Sequence, residues 1–250
     1  MISGSRFFCM TLLLASAAFA DNIVFNQPGA PAASDQCTAN CLTSSESSTG
    51  NGFRTYDQFS FSSATQFNAV SWQGFYFDAL DSGNNPVSPN TVSWQIGIYA
   101  DNSNMPGALL FTETVPAVDV QTTFLGDTTF GPSDGRALNG VTDGVYSFEV
   151  GLDQEFSAAA NTTYWISPLS LITSSTNNPV FSWAGSPPGP YGTVFEQETS
   201  NGSVIASGSG SGNQAFALIQ TPEPAGSALF VTLLLMFGAL IARRRKARVN

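Results

Sequence analysis

Val92, Trp94, Ile96 and Ile98 alternate with Ser93, Gln95 and Gly97, the period-two signature of a strand with one face in a core. The same alternation recurs at Asn22–Asn26, Arg54–Ser62 and Phe67–Phe77, and in the last of these Val70, Trp72, Gly74 and Tyr76 share a face. Further strands are read at Ala108–Val115, Val118–Phe124, Val145–Leu152, Thr163–Leu171, Val180–Ala184, Thr193–Glu198 and Gln214–Gln220. Asp81–Pro86 and Asp101–Gly107 are dense in turn-forming residues and separate neighbouring strands. No helical periodicity interrupts residues 21–220. About ten short strands joined by such turns predict an all-β fold, an antiparallel β-sandwich with jelly-roll-like connections. Two stretches fall outside this pattern: Gln27–Gly52 reads as an irregular surface loop, and Ser207–Gly212 as a flexible loop by its Ser-Gly composition.

The two ends follow a different rule. Met1–Ala20 has a basic residue (Arg6), an apolar run from Phe7 to Phe19 and the small-x-small site Ala18-Phe19-Ala20, which predicts a secretory signal peptide cleaved before Asp21. The alternative, a membrane span, requires a longer run. At the other end, Pro222-Glu223-Pro224 precedes an uncharged apolar run from Ala225 to Ala242, followed by Arg243, Arg244, Arg245, Lys246 and Arg248. At about 1.5 Å per helical residue that run matches one bilayer crossing, and the basic cluster favours a cytoplasmic C-terminus. The chain thus divides into residues 1–20, an outer domain of 21–220 and a tail of 221–250.

The tail resembles the PEP-CTERM sorting signal: a Pro-Glu-Pro triplet, a single span and an Arg-rich end, in that order. The resemblance implies recognition by exosortase, a membrane protease that removes the tail, after export through the Sec translocon and cleavage by signal peptidase. It implies a transient single-pass stage in the inner membrane, then residence in the cell envelope or extracellular matrix, in association with exopolysaccharide or biofilm. Each proline biases the residue before it, Thr221 and Glu223, towards extended backbone, which a protease requires. A plain single-pass anchor, with the prolines in the first helical turn, is the alternative reading of the same residues.

Charge sharpens the picture of the outer domain. Seventeen of the 18 acidic residues but only Arg54 and Arg136 of the 8 basic ones lie in it, a formal net charge of −15. Such a surface opposes nucleic acid and anionic lipid, which are bound by cationic groups. Cys37 and Cys41 are close enough in sequence for a disulfide in an oxidising exterior, with two free thiols as the alternative. Cys9 leaves with the signal peptide.

Candidate chemistry is sparse. The chain has no His, which excludes Ser-His-Asp and Cys-His nucleophiles, and no Lys before the tail, which excludes a phosphate-cradling Gly-rich loop. Glu149, Asp153, Glu155, Glu196 and Glu198 are the carboxylates available for glycoside hydrolysis; solvated outer-face positions explain them equally well. No cofactor is expected; Asp101, Asn102 and Asn104, or Asp81, Asn84 and Asn85, offer oxygens to Ca²⁺ but also form ordinary Asx turns. Trp183 and Tyr191 flank a Pro-Gly-rich loop and are the ligand candidates for stacking on a sugar, whereas Trp72 and Trp94 lie on apolar faces. Trp72-Gln73-Gly74, Tyr164-Trp165-Ile166, Ser182-Trp183-Ala184 and Ala215-Phe216-Ala217 also resemble an ectodomain type found in PEP-CTERM proteins, which implies a sandwich without an assigned activity. The expected function is that of a noncatalytic exported envelope or matrix protein; a carbohydrate-binding module and a secreted glycosidase are the alternatives.

Overall fold

The computed structural model describes residues 21–31, 42–77, 91–129, 142–173, 180–187 and 192–221. The signal-peptide positions Ala18 and Ala20, Cys37 and Cys41, Asp81, Asn84 and Asn85, Tyr191, and the tail with Pro222, Glu223, Pro224 and Arg243–Arg248 lie outside the described residues.

In chain order the strands are β1 (Asn22–Gln27), β2 (Leu42–Thr43), β3 (Ser45–Ser47), β4 (Gly52–Ser60), β5 (Thr65–Phe77), β6 (Thr91–Asp101), β7 (Pro106–Pro116) and β8 (Gln121–Thr129). There follow β9 (Thr142–Ala158), β10 (Thr163–Ile172), β11 (Val180–Trp183), β12 (Gly185–Ser186), β13 (Thr193–Ser200), β14 (Ser203–Ser211), β15 (Asn213–Gln214) and β16 (Phe216–Gln220). The one helical element among the described residues is a 3₁₀ turn, Ala117–Asp119, so none there is long and apolar enough to cross a membrane. Asn22–Thr221 forms one compact unit.

One sheet is built on β5, whose inward face carries Val70, Trp72 and Tyr76. β9 pairs along one of its edges and β8 pairs beyond β9; the other edge is shared by β16, leading to β1, and by β11, leading to β2. The second sheet runs β14-β13-β4-β3-β10-β6-β7, with β4 and β10 pairing directly where β3 ends. All pairings are antiparallel except β3 with β10. The inward residues of the two sheets meet in an aromatic core in which Trp72 of β5 packs edge-on against Trp94 of β6, with ring centroids 4.9 Å apart. Around them lie Phe59, Phe148, Phe181 and Leu218.

The structure corrects two readings. Part of the stretch read as a surface loop is interior: β2 pairs with β11 in one sheet, β3 pairs with β4 and β10 in the other, and the chain crosses between them at Ser44, which has no exposed surface. Its polar groups tolerate burial because they are bonded: Ser44 N–H donates to Phe181 O at 3.0 Å, Ser44 Oγ to Pro168 O at 2.7 Å, and Thr55 Oγ1 to Thr43 O at 2.7 Å. A polar sequence there signals satisfied hydrogen bonds, not solvent. The Ser-Gly tract is likewise strand: β14 pairs with β13 from Ser200↔Ser203 to Thr193↔Ser211.

Candidate functional site

Cross-strand register assembles a groove on the described surface. Glu196 of β13 lies opposite Thr55 of β4 and Gly208 of β14; Glu198 lies opposite Phe53 and Ala206. Partners in register share a face, so Phe53, both glutamates and the small residues of β14 all face the side on which Leu42 of β2 stands. Together Leu42, Phe53, Glu196, Glu198 and residues 206–210 line about 310 Å³. Phe53 is 37% exposed, which leaves its ring reachable, and an added Cβ at Gly208 would meet nothing within 4 Å. The groove therefore pairs an apolar wall with two carboxylates over a floor nearly without side chains. Such a lining accepts hydrogen bonds from hydroxyl or amino groups and stacks a flat apolar face.

Beneath it, the same strand places Asp57 among apolar neighbours. Asp57 shares parity with Phe59 and points inward, with no exposed surface. Its Oδ2 accepts the Gln214 N–H at 2.5 Å and its Oδ1 the Gln58 N–H at 2.7 Å. With the Gln27 amide oriented to satisfy both its ends, its nitrogen donates to Asp57 Oδ2 at 2.8 Å and to Gln214 O at 2.9 Å. One carboxylate thus joins β4 to β1 and to β15 of the short pair beside the first sheet. Burial pushes its pKa well above the usual carboxylate range, against the pull of the Gln214 and Gln58 backbone donors. With both oxygens occupied and no access to solvent, this carboxyl is a structural knot.

On the opposite face of β4, Arg54 spans β10. Its guanidinium donates to the Tyr99 hydroxyl at 2.5 Å and to Gln95 Oε1 at 2.7 Å, and stands 3.9 Å from Glu46. It lies beside a small aromatic cluster of Tyr56, Tyr99, Trp165 and Phe195, so its charge is spent within the domain. The end of the domain is equally tied. Thr221, the residue before Pro222, donates through its N–H to Asn68 Oδ1 at 2.7 Å and through Oγ1 to the same oxygen at 2.9 Å, while Asn68 Nδ2 donates to Thr221 O at 3.2 Å. One side chain of β5 clamps the chain immediately before the Pro-Glu-Pro triplet.

The structure places the remaining candidates as follows. Trp183 is not an exposed stacking ring: it has no exposed surface, and its Nε1–H donates to Ala215 O at 2.8 Å. That carbonyl also accepts the Gln73 N–H at 3.1 Å where β16 and β11 part along β5, so the indole holds a strand junction. Asp101 serves its own turn and a neighbour: Oδ1 accepts the Trp165 Nε1–H at 2.9 Å and Oδ2 the Asn104 N–H at 3.4 Å, with Ser103 and Asn104 in left-handed backbone. Among the described residues no three His, Cys, Asp or Glu side chains converge as metal ligands do. Glu149 alternates with the core residues Phe148 and Val150, while Glu155 accepts from Gln220 Nε2 at 3.0 Å and Asp153 N–H donates to Glu113 Oε2 at 3.0 Å. Glu196 and Glu198 stand side by side on one strand, whereas glycoside hydrolysis uses carboxyl groups that flank the scissile bond.

The sequence reading missed Phe53, Asp57 and Asn68. For Asp57 a signal existed, its parity with Phe59 and Phe61 on one strand; for Asn68 and Phe53 the partners are distant in sequence and no local pattern marks them. Comparison of the chain with family models, curated proteins and solved structures finds no match.

Proposed function

We propose that this is a noncatalytic exported protein of the cell envelope or extracellular matrix, with a jelly-roll-like sandwich delivered by its signal peptide and processed by exosortase at its PEP-CTERM tail. The observation that carries the reading is the junction between domain and tail. Ordered structure continues through β16 to Thr221, which Asn68 holds, and the triplet Pro222-Glu223-Pro224 begins at the next residue. A motif at a domain's edge is accessible to a membrane protease while the domain stays folded. Supporting it, the Asp57 carboxyl is consumed in a buried knot and Arg54 in part-buried bonds to Tyr99 and Gln95, which leaves these groups no freedom for catalysis. The test is the mass of the protein from cells with and without exosortase. Loss of the tail only where the enzyme is present supports the reading; an intact chain through Asn250 in both overturns it.

A second reading, carbohydrate binding, is favoured by the groove of Phe53, Glu196 and Glu198. Its ligand class is a neutral or amino-bearing saccharide of the exopolysaccharide, since a −15 domain repels anionic chains. Glycan-array binding that is lost in Phe53→Ala and Glu198→Gln and kept in Trp183→Phe supports this site; binding indifferent to the first two rejects it.

A further inference from the structure

The chain contains the tripeptide Asn-x-Ser/Thr, with x other than Pro, at two places only: Asn161-Thr162-Thr163 and Asn201-Gly202-Ser203. The structure puts both asparagines at exposed turns. Asn201 and Gly202 form the two-residue turn of the β13–β14 hairpin, closed by the pair Ser200↔Ser203, with φ of 51° and 75°. Positive φ at both positions is what a type I′ turn requires and Asn-Gly supplies. Asn161 has φ of 54° in the link from β9 to β10. At each turn the backbone is anchored while the side chain is free. The Asn161 N–H donates to Phe61 O at 2.7 Å, the Asn201 N–H to Asn51 Oδ1 at 2.9 Å and the Gly202 N–H to Gly50 O at 2.9 Å. No hydrogen bond among the described residues engages the side-chain amide of Asn161 or Asn201. Other asparagines spend their amides on the fold: Asn51 Nδ2 donates to Thr49 Oγ1 at 3.0 Å, Asn213 Oδ1 accepts the Gly192 N–H at 2.8 Å, and Asn68 holds Thr221. None of those three has a hydroxyl residue two positions on.

We infer that Asn161 and Asn201 are acceptors for N-linked glycosylation. The donor class is an oligosaccharide carried on a polyprenyl diphosphate, and the transferase is one that works on the outer face of the membrane through which the chain is exported. In the transfer, Nδ2 of the asparagine attacks the anomeric carbon of the first sugar. A C–N bond forms, the C–O bond to the diphosphate breaks, the lipid diphosphate leaves, and one Nδ2 proton passes to a base of the transferase. The reaction needs an amide not already bonded, a hydroxyl two residues on for recognition, and room for a bulky group. Thr163 is part-exposed and Ser203 exposed, and an added Cβ at Gly202 would meet nothing within 4 Å. Because each turn is held by its own backbone N–H bonds, the glycan adds outside the fold and leaves the sheet pairings intact. The inference rests on export by the signal peptide and is independent of how the tail is processed.

The test is peptide mass spectrometry of the full chain purified from its own cells, read at Asn161, at Asn201 and at the N-terminus. A saccharide mass on both asparagines of a chain that starts at Asp21 is expected. Asn201→Gln and Ser203→Ala are each expected to abolish it at Asn201 while keeping it at Asn161, Ser203→Thr to keep both, and Thr163→Ala to abolish it at Asn161 alone. The two Ser203 variants separate recognition of the hydroxyl from misfolding, since Ser203 is exposed and its replacement leaves the Asn201-Gly202 turn in place. A bare Asn161 or Asn201 in a chain that starts at Asp21 overturns the assignment of that site and leaves export standing. Saccharide confined to Ser or Thr hydroxyls overturns both sites, and a chain that retains Met1–Ala20 overturns the inference together with the export reading.

Discussion

Asp57 and the tryptophans show how single side chains carry the stability of this domain. Three N–H groups converge on the Asp57 carboxylate, so Asp57→Asn sets an amide NH₂ against at least one of them. A loss of about 1–3 kcal/mol in urea unfolding is expected. The pH dependence follows from the direction of the shift. Because the folded state holds this proton more tightly than the unfolded chain, stability falls as pH rises from the ordinary carboxylate range through the raised folded pKa. Glu113, raised first by partial burial and further by the charge of Asp153, acts in the same sense. Acidification from neutral pH towards the carboxylate range is therefore expected to stabilise the wild type, with a shallower slope in Asp57→Asn; denaturant melts across that range measure both. Trp183 and Trp72 make a second contrast. Both are fully buried, but Trp183 Nε1 is bonded to Ala215 O while Trp72 Nε1 has no hydrogen-bond partner among the described residues. Trp183→Phe is expected to cost about 1 kcal/mol more than Trp72→Phe, because only the former loses a buried hydrogen bond; Ala215 O keeps the Gln73 N–H.

At the scale of elements, close approach between strands sets the constraints. A Cβ at Gly74 would lie 2.4 Å from Ser182 O and 2.3 Å from the Phe181 ring, where β11 crosses β5. Gly74→Ala is expected to cost about 3 kcal/mol, since a backbone oxygen has no rotamer by which to yield. Gly151→Ala, with nothing within 4 Å of the added carbon, is the matched control and is expected to be neutral in thermal melts. The Asn68 clamp governs another element, the start of the tail. Asn68→Ala releases three hydrogen bonds from Thr221, so the chain before Pro222 frays and, under the sorting reading, the tail is removed faster. Pulse-chase of the precursor in exosortase-containing cells measures this; an unchanged rate would mean that the clamp does not limit access.

For the whole molecule, net charge bears on where the domain resides. A −15 body gains nothing electrostatically beside anionic lipid, and the distance from Thr221 to the apolar run at Ala225 is about 14 Å at full extension. We expect fractionation with an antibody to the sandwich to find the mature domain in the outer envelope or matrix. A stable inner-membrane pool that keeps Arg243–Arg248 throughout growth would sink this expectation.

Alternation along the chain was enough to determine that the domain is all-β and which face of β5, and of β6 from Trp94 to Ile98, forms the core, because a strand's period of two is a local property of its backbone; Val92, read on the same face of β6, is exposed. The tail pattern, too, is legible only as sequence. Tertiary structure alone decided what the polar stretches do. Leu42–Ser47 lacks alternation yet is interior, because its hydroxyls and backbone groups find partners on Phe181, Pro168 and Ser170 more than a hundred residues away. Ser207–Gly210 lacks β propensity yet is strand, because β13 supplies a template for its backbone. Trp183 resembles an exposed ring beside a Pro-Gly loop, yet the parting of β11 and β16 encloses it. Burial of a polar or aromatic group depends on partners distant in sequence, which a local pattern does not encode.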